Sequence, residues 1–100
     1  MDYKLTILPL AKIDLEEIAS WYENINKNLG KRFLKSVKDE IKIVRVKPHL
    51  YQIRYDETRV ALIQTFPYLI HFEIDKMEIL IKAIIHTSRN TKVWKNRKNH

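Results

Sequence analysis

One hundred residues, 45% of them hydrophobic and 31% charged, describe one globular domain over 1–100 with chain enough for a single hydrophobic core. A single glycine and no cysteine exclude Gly-rich phosphate loops, disulfides, thiolate chemistry and cysteine-built metal sites. A net charge of +7 favours a partner that carries phosphates or acidic side chains.

That charge is unevenly placed. No acidic residue follows Glu78, whereas Lys82, Arg89, Lys92, Lys95, Arg97 and Lys98 all do. A solvated tail and a working surface both fit such a run. Trp94 among the cations, and a tail that directly follows a strand, favour the surface. Residues 1–4 lack the basic-then-apolar pattern of a leader, and no apolar run approaches the ~20 residues that span a bilayer. The expectation is a cytoplasmic protein with no membrane partner, in a reducing compartment that suits the missing disulfides.

Residues 3–8 read as a first strand ending at Pro9. From Ala11 the period changes: Ala11, Leu15, Ile18, Tyr22, Ile25 and Leu29 form one stripe of an amphipathic helix, with Lys12, Glu16, Glu23 and Lys27 opposite. Gly30 stands where a positive φ commonly ends a helix. A second helix follows with Leu34, Val37, Ile41 and Val44 as its stripe and Phe33 beside it. It closes by Lys47, because Pro48 disfavours helical geometry in the residue before it. So short a turn makes the two helices an antiparallel hairpin. Residues 59–65 follow the Asp56-Glu57-Thr58 turn as a strand. In residues 68–75, Tyr68, Ile70, Phe72 and Ile74 share one face and Leu69, His71 and Glu73 the other. Residues 78–86 form the last strand, with Ile79, Ile81, Ala83 and Ile85 opposing Leu80, Lys82, Ile84 and His86. Apolar residues on both faces predict a central strand, and a short helix is expected after Arg89. The fold class is α+β, in the order β-α-α-β-β-β, with a helical hairpin packed on a mostly antiparallel sheet and a basic C-terminal tail.

With those residues in that order, the chain resembles the RelE/ParE superfamily of type II toxin–antitoxin toxins over nearly its whole length. Ala11 with Asp14-Leu15-Glu16-Glu17-Ile18 and Trp21-Tyr22 resembles the family's first helix. Gly30-Lys31-Arg32-Phe33 resembles the start of its second, Pro48 its closing proline, and Phe66-Pro67-Tyr68 the entry to its third strand. His86, Arg89, Trp94 and Arg97 are similar in spacing to the C-terminal signature of the ParE-like branch.

The resemblance implies a toxin encoded beside an antitoxin that neutralises it and forms an oligomer with it. RelE-like members enter the ribosome and cut mRNA with strand-borne cations and a terminal Tyr or His. ParE-like members poison DNA gyrase without that set. Here Pro67 stands where cleaving relatives carry an arginine, and Thr87 and Ser88 where they show His and Tyr. The leading expectation is therefore a ParE-like inhibitor, not an enzyme. Two alternatives remain: a ribosome-dependent mRNA endonuclease, and a degenerate member that only binds its antitoxin.

For a nuclease the candidates are His86 as proton carrier with Arg89 and Arg59 as phosphate clamps. Each has a plainer reading, as a strand-end histidine or a hairpin-end arginine; Arg54 flanks the same turn as Arg59. For target binding the candidates are Arg89, Lys92, Trp94, Lys95, Arg97 and Lys82. Trp94 also fits as the tail's hydrophobic anchor. Lys82 and His71 read most simply as a polar stripe on a half-exposed sheet. For the antitoxin they are Trp21, which points off the core stripe, and its neighbour Tyr22. No cofactor is expected. Four histidines (His49, His71, His86 and His100) without ligand spacing make no metal site.

Overall fold

The computed structural model describes residues 3–89. The expected helix after Arg89, and Lys92, Trp94, Lys95 and Arg97 with it, lie outside the described residues. Strand β1 (Lys4–Ile7) leads to helix α1 (Pro9–Ile25) and helix α2 (Leu29–Val46). A 3-10 turn (Pro48–Leu50) precedes four strands: β2 (Ile53–Tyr55), β3 (Thr58–Leu62), β4 (Tyr68–Asp75) and β5 (Glu78–His86). The sheet runs β1-β5-β4-β3-β2, with β1 parallel to β5 and the other pairs antiparallel. Strand β5 is central, as its two apolar faces predict. Among the described residues no helix is long and apolar enough to cross a membrane.

Pro9 ends the first strand and also opens α1. Its fixed φ and missing N–H suit the first helical turn, so the helix begins two residues before its stripe does. The stripe holds through Ala11, Leu15, Ile18 and Tyr22, but Ile25 is exposed and Leu29 belongs to α2. The positive φ between the helices falls on Asn28, at 74°, and not on Gly30. Gly30 lies inside α2, where a Cβ would sit 2.5 Å from the Ala19 carbonyl oxygen. Its role is close helix approach. The first N–H groups of α2 find their acceptor in α1: the Glu23 carboxylate takes hydrogen bonds from Asn28 N at 3.2 Å and Gly30 N at 3.0 Å.

The core lies between the hairpin and one sheet face. Phe33, Val37 and Val44 of α2 meet Ile70, Phe72, Ile79, Ile81 and Ile84. Phe33 holds the core position in the second helix, and Leu34 is exposed. Tyr22, Phe33, Phe66 and Tyr68 form an aromatic cluster with ring centroids 5.0 to 6.4 Å apart.

A bulge alters the last strand. His71 pairs with Ala83 and Phe72 with Ile81, so Lys82 is an extra residue in β5. Strict alternation fails there. Ile84 joins Ile79 and Ile81 under the helices, while Ala83 and Ile85 turn to the opposite face with Tyr55 and Leu69. On that face the expected half-exposed polar stripe is in fact buried, His71 fully and Lys82 nearly so.

Candidate functional site

Where β4 begins and β5 ends, the flank of α1 stands beside the sheet and leaves a pocket of about 270 Å³. Asp14, Glu17 and Ile18 line it from α1, Tyr68 from β4, His86 from the tip of β5, and Arg89 from the turn beyond. Asp14 fastens the helix to the strand, its Oδ2 accepting a hydrogen bond from the Ile84 N–H at 2.9 Å. The bulge makes this possible, because it brings Ile84 round to the helix side. The turn after β5 is fixed by Thr87 N–H to the Pro67 carbonyl at 2.9 Å and Arg89 N–H to the His86 carbonyl at 3.0 Å.

His86 packs edge-on against Tyr68, with ring centroids 5.1 Å apart. Its Nδ1 lies 3.0 Å from the Ser88 backbone nitrogen and 2.8 Å from the Ser88 hydroxyl oxygen. A backbone N–H only donates, so Nδ1 is an acceptor and the neutral ring carries its proton on Nε2. The other ring nitrogen is thus a donor, which suits it to holding an oxygen more than to abstracting a proton. Burial raises the Tyr68 phenol above its ordinary pKa, and the nearby Arg89 guanidinium offsets part of that. Tyr22 is raised for the same chief reason, with Tyr68 adding to it.

The pocket brings together two of the candidates, His86 and Arg89, and separates the third. Arg59 pairs in register with Phe72, four residues along β4 from the partner of His86, or roughly 14 Å. Its guanidinium donates to the Tyr51 carbonyl and reaches towards His49 Nδ1 at 3.5 Å. It braces the 3-10 turn against β3 and joins no site with His86. Lys82 is likewise held inside the fold. Its ammonium donates to Glu73 Oε2 at 2.7 Å and Thr58 Oγ1 at 2.8 Å, and lies 5.5 Å above the Tyr55 ring. Its charge is matched by a carboxylate and covered. The Tyr55 hydroxyl in turn meets His71 Nδ1 at 2.9 Å.

Trp21 is 57% exposed and lies edge-on to Tyr22 at 5.1 Å. Tyr22 is half-buried in the aromatic cluster, so it supports Trp21 and offers a partner little surface of its own. Asp14, Glu17 and Trp21 are spaced three and four residues apart, which places all three on one flank of α1. The pocket and the exposed indole therefore form one continuous surface. That spacing is visible in the sequence, and it is the signal that adds Asp14 and Glu17 to the site; Tyr68 carries no comparable mark. Among the described residues no cluster of three His, Asp or Glu side chains has metal-holding geometry.

The model of the ParE toxin of the type II toxin–antitoxin system parDE matches residues 5–91. Among solved structures, a chain of the chromosomal ParDE TA system from P. aeruginosa is similar, with a TM-score of 0.75 at 18% identity. The match covers 86% of this chain and 97% of that one, and at such identity it speaks for the fold alone. No curated protein matches. With a family match across most of its length, and with both helices and strands β2 to β5 wholly inside it, this chain belongs to the ParE toxin family of type II toxin–antitoxin systems.

Proposed function

We propose that this chain arrests growth by binding DNA gyrase as a non-enzymatic inhibitor, and that a cognate antitoxin encoded beside it holds it in check in the cytoplasm. One observation supports inhibition over RNA cleavage: among the described residues the candidate basic groups are not gathered over a common point. Lys82 is neutralised by Glu73, Arg59 is tied to the Tyr51 carbonyl, and Arg89 shares its pocket with Asp14 and Glu17. A scissile phosphate entering that pocket would meet two carboxylates, and the developing charge of a phosphoryl transition state needs the reverse. A mixed-charge pocket continuous with an exposed tryptophan fits a protein surface better. In this reading Arg89, with Lys92, Trp94, Lys95 and Arg97 of the tail, engages the target, and Trp21 engages the antitoxin.

The second reading, a ribosome-dependent mRNA endonuclease, draws on the shared pocket of Tyr68, His86 and Arg89. Primer extension on a defined message in a purified translation reaction separates the two. Intact message at protein concentrations that stop growth is the expected result. Cuts confined to translated message, abolished by His86→Ala or Arg89→Ala, would establish the nuclease instead.

A further inference from the structure

Helix α2 turns a line of cations to solvent on the side away from the core. Lys31, Lys35, Lys38 and Lys42 stand four, three and four residues apart, within an arc of about 60° round the helix. Phe33, Val37 and Val44, which enter the core, lie about 150° away. All four lysines are exposed, and the line runs roughly 16 Å with an ammonium at about every turn. Lys31, Lys35 and Lys38 surround a depression that Leu34 also lines, and no carboxylate borders it. Lys35 is paired with Asp39 at 3.0 Å; among the described residues Lys31, Lys38 and Lys42 are in no ion pair. Glu40, the other acid of α2, accepts from the Tyr51 hydroxyl at 2.8 Å on a different face. Arg45 continues the spacing but is half-buried, and its Nε donates to the Tyr3 carbonyl at 3.0 Å.

Like charges three and four residues apart repel and weaken a helix, so the line does nothing for folding. A polyanion laid along it relieves that repulsion. A protein partner would need apolar anchors, and between Lys31 and Lys42 the only large apolar side chain beside the line is Leu34. A second copy is repelled at a net charge of +7. A straight, evenly spaced row of ammonium groups instead matches a regular phosphate backbone, and duplex DNA carries a negative charge for every ~1.7 Å of its axis. From this we infer that the Lys31–Lys35–Lys38–Lys42 line holds the phosphate backbone of duplex DNA, without reading its sequence. The choice of DNA over RNA rests on the gyrase reading, since gyrase works on DNA; the contact itself is additional to that reading and lies outside the pocket.

The test is fluorescence anisotropy of a labelled ~20-base-pair duplex titrated with the full-length chain, between ~50 and ~200 mM salt and without gyrase. Lys31→Gln, Lys38→Gln and Lys42→Gln together are expected to weaken binding at least tenfold. They should also lower the slope of log affinity against log salt by about 2.7, the share of three phosphate contacts. Lys4→Gln, Lys12→Gln and Lys76→Gln together make the same change in net charge at exposed positions off the line, and should stay within twofold of wild type. Arginine at the three α2 positions should retain binding. Every substituted side chain is exposed, and an unaltered thermal melt confirms folding. A wild-type chain that leaves the duplex unbound at the lowest salt overturns the inference. So do α2 variants within twofold of wild type, which would leave any affinity to the C-terminal cations, or control variants that lose as much as the α2 set. Tighter binding to duplex RNA of the same sequence, lost in the α2 variants, overturns it in favour of RNA. The gyrase reading is judged separately, by supercoiling, so either can fail while the other stands.

Discussion

Replacing Gly30 by alanine sets two effects of opposite sign against each other. In a helix interior alanine is better than glycine by ~1 kcal/mol, and less so at the second residue of α2, where this position lies. Against that stands the packing. The new Cβ would lie 2.5 Å from the Ala19 carbonyl oxygen and 3.0 Å from Glu23 Oε1. A relaxed contact is roughly 3.5 Å, so the two backbones must part by roughly 1 Å. A gap of that size forfeits about a quarter to a half of the attraction across the seam, and overpacking typically costs ~1–3 kcal/mol. Glu23 must also draw back from the Gly30 N–H, a bond of ~1 kcal/mol. Packing wins, and the net loss is about 2 kcal/mol. In a domain of this size the melting temperature falls by roughly 10 °C. Urea unfolding followed by circular dichroism reads the change as a lower midpoint at constant m-value. A Gly30→Ala protein as stable as the parent, or more so, would refute the close-approach argument.

Three further outcomes follow from the same geometry. Lys82→Met leaves Glu73 without its partner; since the Glu73 side chain is 34% exposed, solvent absorbs part of the penalty and the loss should be about 2 kcal/mol, partly recovered by adding Glu73→Gln, as urea unfolding of single and double variants will show. Tyr51 is half-buried and donates to Glu40, and both effects raise its pKa well above the ordinary tyrosine value of 10.0. A raised folded pKa gives stability that is complete below ~10 and is lost as pH climbs beyond it, so Tyr51→Phe should lose about 1 kcal/mol at pH 7 and show a shallower alkaline decline in unfolding free energy. Nitrogen-detected NMR at a pH where His86 is neutral should find its proton on Nε2; a proton on Nδ1 would contradict the Ser88 contact.

The hairpin is legible in the sequence because its apolar residues recur with helical period and Pro48 punctuates the end. Strand β4 is legible for the matching reason: Tyr68, Ile70, Phe72 and Ile74 alternate without interruption. What escapes is whatever depends on a single residue's tertiary surroundings. A bulge at Lys82 leaves no mark in a strand that is apolar on both faces, so Ala83, Ile84 and Ile85 read onto the wrong sides. Strand β2 is only three residues long and takes its identity from pairing with β3. Gly30 reads as a helix terminator because glycine commonly is one, whereas its neighbour Ala19 is remote in sequence. In the site, His86 and Arg89 are legible from their place at the strand end. The burial of Lys82 and the bracing role of Arg59 are not, since each depends on a partner (Glu73, and the Tyr51 carbonyl) whose proximity only folding decides.

The most direct measurement is supercoiling of relaxed plasmid by purified DNA gyrase and ATP, with the chain titrated in alone and together with its antitoxin. The proposed function requires loss of supercoiling or accumulation of cleaved plasmid as the chain is added, reversal by antitoxin, at least tenfold weaker inhibition by Arg89→Ala, and little change with Arg59→Ala. Supercoiling untouched at concentrations that stop growth would contradict gyrase as the target.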